Sequence, residues 1–279
     1  MTTPLDSSAS DLDPTLKQWL GVGRAFGGAV IFSLPLMMTM EMWWLGFYID
    51  PLRLLCLLLL SFPLLVGVSS VIGFTDSRAL VDNVIDVFVA YAFGFLVSGL
   101  TLFLFNTLNV DQAAGISFST IMLQTIPASL GALLGRSELG SGEHDRTDEK
   151  GRGDELVVLA VGALFLALNV APTEEIPMIA YQMSPWHLLG LFIITVLVMH
   201  VFVIAGSYSE GKRSEGVTGT VTGYVYYTCL ALLVGVSISV LMLWIFGRSD
   251  GLSFTALLAN TLVLLFPAGI GAAAARLII

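Results

Sequence analysis

The chain has 279 residues, of which 56% are hydrophobic and 12% charged, with a formal net charge of -9. A soluble domain carries roughly 25% charged residues, so this is the composition of a polytopic membrane protein. The acids fall in the N-terminal tail, a central linker and the apolar segments, and no basic stripe is present to meet phosphates, so nucleic acid is excluded as a partner.

The first thirteen residues are polar and acidic and lack a basic stretch ahead of a short apolar core, so no cleaved leader is expected and residues 1–24 read as a cytoplasmic tail. Crossing about 30 Å of hydrocarbon takes about 20 apolar residues. Eight runs meet this, near 25–49, 53–74, 84–106, 114–135, 156–181, 186–208, 220–246 and 252–275. The expected class is therefore an all-α protein with eight transmembrane helices. Only 136–155, rich in glycine and charge, is long enough to be a solvated linker, and it separates a first unit, 25–135, from a second, 156–279. Cys56 and Cys229 lie inside apolar runs, where a thiol behaves as a small hydrophobe.

Positive charges favour the cytoplasmic side. With the N-terminus inside, Lys17, Arg24, Arg78, Arg136, Arg146, Lys150, Arg152, Lys212, Arg213 and Arg276 lie inside, and only Arg53 and Arg248 outside. Both termini are then cytoplasmic. Trp43, Trp44, Tyr48, Tyr181, Trp186 and Trp244 fall near the outer ends, as interfacial aromatics do.

The two units repeat one another. Gly28/Gly162, Thr39/Thr173, Glu41/Glu175 and Pro51/Pro185 are each separated by 134 residues; Gly115/Gly251 and Gln124/Asn260 by 136; Pro127/Pro267, Gly131/Gly271 and Arg136/Arg276 by 140. Matched polar residues and prolines in one order indicate duplication. Four crossings per unit make the repeats parallel, which puts Glu41 and Glu175 on one side. They lie 9 and 10 residues from the outer ends Asp50 and Pro185, or roughly 13–15 Å deep at 1.5 Å per residue.

The stretch from Asn169 to Pro177, Asn-Val-Ala-Pro-Thr-Glu-Glu-Ile-Pro, sets two carboxylates between two prolines in an apolar run. An ionised carboxylate at the bilayer centre costs at least about 2.5 kcal/mol, and each proline removes a helical donor. The helix should break there, freeing backbone oxygens. Glu41, Glu174 and Glu175, with Thr39, Thr173 and the Asn169 carbonyl, form a candidate cation site of hard oxygen ligands near the interface of the units. The plainer alternative is protonated glutamates bonded between helices. Glu175 has a repeat partner and is the stronger candidate; Glu174 replaces Met40.

Gln124 and Asn260, near the middle of their helices, are candidates for lining a pathway or for interhelical bonds. His200, 14 residues past Trp186, and Asp86, near the start of its helix, are candidates for a proton relay. The plainer readings are packing for His200 and helix-start electrostatics for the neighbouring Asp82. Gly94, Gly99, Gly131 and Gly135 fit close helix contacts. No phosphate-cradling loop, zinc-protease motif or nucleophile with a base appears, so neither an enzyme nor a cofactor is expected.

On its Asn169–Pro177 stretch the chain resembles a family of bacterial integral-membrane proteins of about this length with no assigned activity. An acid beside a helix break also resembles cation exchangers, although the inverted repeats of those proteins are lacking. The expectation is a bacterial inner-membrane cation transporter, with cation–proton exchange as its natural form, in contact with lipid, a small cation and protons, and with room for a homo-oligomer. The alternatives are a cation channel or a non-transporting scaffold.

Overall fold

A computed structural model describes residues 14–72, 80–108, 113–138, 152–209 and 221–278. Among them the protein is all-helical, in the order α1 (Pro14–Met37), α2 (Met40–Tyr48), α3 (Pro51–Ile72), α4 (Leu80–Leu104), α5 (Ala114–Glu138), α6 (Arg152–Val170), α7 (Glu175–Gln182), α8 (Pro185–Ser209), α9 (Val221–Ile245) and α10 (Phe254–Ile278). Eight helices are long and apolar enough to cross a membrane, and α2 and α7 are the short pieces between them. Arg78, Arg146, Lys150, Lys212 and Arg213, used above to orient the chain, lie outside the described residues.

The first crossing differs from the sequence reading. It is Trp19–Met37 rather than 25–49, and α1 begins at Pro14, inside the stretch read as a tail. The reason is the break after Met37: the run counted as one helix is a crossing plus a separate nine-residue helix. In the fifth run the crossing is Gly153–Val170, and α7 follows the break.

Local chemistry sets these ends. The Asp50 carboxylate accepts the N–H groups of Leu52 (2.8 Å) and Arg53 (3.2 Å) with Pro51 opening α3, and the Ser184 hydroxyl accepts from His187 with Pro185 opening α8. Proline at the first helical position loses nothing, because its donor would be unpaired there anyway. Helices α4 and α9 both close on a residue of positive φ, Asn106 (57°) and Gly247 (72°), with the next N–H bonded five residues back, Thr107 to Leu102 and Arg248 to Leu243. This closure satisfies carbonyls that the helix end would leave bare.

Within each half the first long helix lies against the last, backbone to backbone. A Cβ on Gly28 would overlap the Gly131 carbonyl and crowd Gly135; a Cβ on Gly162 would overlap the Gly271 carbonyl. Small residues at such crossings substitute close packing for the hydrophobic driving force that lipid removes. Gly94 of α4 meets Thr125 and Ser129 of α5, and Gly235 of α9 meets Leu265 and Gly269 of α10. The halves join through α3 with α6 and α9, and through the edge-on pair Phe32–Phe165, with ring centroids 5.2 Å apart. The largest buried cluster draws on both halves around the breaks, including Leu36, Met42, Leu123 and Ile126 from one and Leu168, Ile176 and Leu264 from the other.

Candidate functional site

The two helix breaks position most of the residues picked out above. At the first, Thr39 leaves the helix with φ −92° and ψ 131°, and its N–H bonds the Leu36 carbonyl at 3.1 Å instead of the Pro35 carbonyl a full turn back. The Pro35 oxygen thereby loses its helical donor. The Thr39 hydroxyl also donates to Leu36 (2.8 Å), and the Trp43 indole N–H donates to Met37 (2.6 Å). At the second break Pro172 has no N–H for the Leu168 carbonyl, and the Thr173 N–H bonds Val170 (3.0 Å) rather than Asn169. The Thr173 hydroxyl donates to Val170 at 2.7 Å. Both threonine protons are thus committed to the end of the preceding helix, and their lone pairs remain to accept. Asn169 likewise commits its Nδ2 to Phe165 (2.7 Å), which leaves its Oδ1 as an acceptor.

The acids stand in different surroundings. Glu41 is half-buried in the first turn of α2, one turn before buried Leu45; Glu175 is exposed in the first turn of α7, off the buried Ile176–Ala180 face. Neither short helix has a side-chain N-cap, so a carboxylate in the first turn also complements the helix dipole. Glu174 has a cationic partner that its neighbourhood in sequence does not reveal: Arg248, 74 residues on, donates Nη1 to its Oε1 at 2.5 Å and Nη2 to the Pro172 carbonyl. Helix α2 packs on α5 and α7 on α10. Among the described residues no three His, Cys, Asp or Glu side chains are grouped to hold a metal ion, so the three glutamates do not converge. One shared carboxylate pocket is replaced by two separate breaks.

Arg53, the other arginine assigned to the outer side, forks onto Asp250 (Nη1–Oδ2 2.8 Å, Nη2–Oδ1 2.7 Å) and lies 5.4 Å from the centre of the Trp244 ring. The bonds from Arg53 hold the Asp250 carboxyl below the usual carboxylate range. This pair was missed because its members lie 197 residues apart in the chain.

Gln124 and Asn260 are both buried, at 0% and 4% exposure. The interhelical bond considered for Gln124 is not made: neither its Oε1 nor its Nε2 has a partner. His200 is half-buried on α8, its Nδ1 2.8 Å from the Thr228 hydroxyl of α9. That hydroxyl already donates to the Tyr224 carbonyl (2.8 Å), so His200 is the donor through Nδ1. His200 lies fifteen residues into α8 (200 − 185), about 22 Å of rise at 1.5 Å per residue. Asp86 is half-buried in the second turn of α4, near the opposite end from the turn at Asn106. Neither joins the breaks.

Comparison with known proteins places this arrangement in a family. No curated protein and no solved structure matches the chain. A family model does, over residues 21–279, a stretch that takes in both breaks, the first crossing from residue 21 and the other seven whole. With that coverage, the chain belongs to the integral membrane protein family DUF2391.

Proposed function

We propose that this protein moves a small cation across a bacterial inner membrane, in exchange for protons, with Glu41 and Glu175 as the groups that trade one for the other. The observation that carries the reading is the recurrence of one device: a crossing that breaks, frees a backbone carbonyl, and resumes as a short helix with a carboxylate in its first turn. Broken helices supply ion ligands in membrane carriers because intact ones keep their oxygens bonded. The distribution of arginine and lysine puts both breaks towards the outside. A carboxylate that gives up its proton when a cation arrives couples the two flows without any catalytic step.

A second reading has its own support. First-turn acids stabilise uncapped helices, and Glu174 is already neutralised by Arg248, which suits a non-transporting scaffold. A passive cation channel would need only weak binding along an open path. Flux in proteoliposomes decides among the three. Exchange predicts cation uptake driven by a pH gradient and abolished in the Glu41→Gln, Glu175→Gln double variant. Uptake indifferent to the gradient means a channel, and its absence from the unaltered protein means a scaffold.

A further inference from the structure

A hydroxyl buried in a membrane helix normally gives its proton to the carbonyl one turn back. Here Ser33, Thr120, Thr125, Ser129, Thr195 and Ser239 all do so. Ser98 of α4 is fully buried and bonds nothing, and the same holds for both polar atoms of Gln124. Orphans of this kind are uncommon, since each carries an uncompensated desolvation cost, and they ask for a ligand.

The register of the helices puts the two orphans at one level. Gly94 faces Thr125 and Ser129, and Gly99 faces Ile121. Ser98, one turn beyond Gly94 on the same face, is therefore level with residues 121–125 of α5. Gln124 precedes Gly131 and Gly135 by seven and eleven residues, along the stripe of α5 that meets α1. The two helices run in opposite directions, so the contacts of Gly28 fix the pairing sum at 159 to 163 (28 + 131, 28 + 135), and Gln124 falls opposite positions 35 to 39 of the first break. Leu123 and Ile126 accordingly share a core with Leu36 and Met42. The Pro35 carbonyl without its helical donor and the uncapped start of α2 lie at this level, with Pro35 itself exposed and Leu36 and Met37 turned to the core.

We propose that Gln124, Ser98 and the Pro35 carbonyl bind a small monovalent cation such as sodium, partly hydrated, inside the first half. This inference locates the ion-binding step of the transport reading and rests on it. Three neutral oxygens form a hard-cation ligand set, and the single carboxylate of Glu41, in the next turn, balances one positive charge. The Gln124 Nε2 donates to the water that the ion retains. Helices α4 and α5 have no lysine or arginine in their membrane-spanning parts, which disfavours an anion.

The second half is not equivalent. Asn260 reaches the level of Thr173 by the same arithmetic (162 + 271 − 260 = 173), but Ser239, in the place of Ser98, has already given its proton to Gly235. Among the described residues, the pair of orphans found in the first half has no counterpart in the second.

The test is thermal unfolding of the purified full-length protein in detergent, with sodium chloride exchanged for choline chloride at constant ionic strength. A ligand that binds only the folded state raises its melting temperature. The unaltered protein should be stabilised by sodium with one-site saturation, and Ser98→Ala and Gln124→Leu should each need at least about tenfold more sodium for the same rise, equivalent to ~1.4 kcal/mol. Asn260→Leu should keep the response. The proposal is overturned if sodium does not stabilise the unaltered protein, or if Ser98→Ala, the variant with the smallest change in shape, responds as the unaltered protein does. Flux in proteoliposomes separates the two ideas. Normal flux with an unchanged sodium response in both variants defeats the site and spares transport, while a lost response beside an inactive unaltered protein spares the site and defeats transport.

Discussion

At the scale of single residues, Glu174 and Glu175 are neighbours in sequence with opposite prospects. Glu174 is held by Arg248, whereas among the described residues Glu175 has no arginine at salt-bridge distance, and it sits where α7 begins. In the exchange reading, Glu174→Gln keeps at least half of the cation flux and Glu175→Gln loses most of it; the two single variants, assayed in the same vesicles, check this. Loss in the first with retention in the second would reverse the assignment. The sequence could offer both acids but not choose between them, because the choice depends on an arginine brought in from the α9–α10 turn. For the same reason the isolation of Gln124 was not legible: a missing partner is a property of everything packed around a side chain.

At the scale of elements, the crossings were legible because twenty apolar residues have few other uses in a protein, and the second break because Pro172 disrupts the helical ladder, whereas Pro35 lies inside α1, which runs on to Met37. The start of α1 at Pro14 was not, since hydropathy registers the hydrocarbon and a helix can run beyond it. The glycine contacts give the sharpest test at this scale. Gly28→Ala and Gly162→Ala force a methyl into an opposing backbone and should each destabilise the protein by about 1–3 kcal/mol. Gly27→Ala, whose added carbon meets nothing within 4 Å, should leave stability unchanged or raise it by up to about 1 kcal/mol. Unfolding in a mixed-detergent titration measures all three, and equal effects at Gly27 and Gly28 would refute the backbone contact.

At the scale of the whole molecule, the Arg53–Asp250 fork ties the start of α3 to the turn before α10, one half to the other. Asp250 titrates below its ordinary value because Arg53 bonds its ionised form. A lowered folded-state value contributes stability above the ordinary carboxylate pKa of about 3.9 and loses it as pH falls through the folded-state value. The melting temperature of the unaltered protein should therefore exceed that of Asp250→Asn from neutral pH down to the ordinary value, and the gap should close in stronger acid. High salt should narrow it too, since the pair is exposed. A gap that widens in acid would mean the fork is not what the variant removes. The interlocked glycines bear on how such a molecule can move at all. Where two backbones mesh, neither helix can slide without a clash, so α1 with α5, and α6 with α10, behave as stiff blades, and α2 is held as closely, since a Cβ on Gly46 would overlap Thr120 of α5.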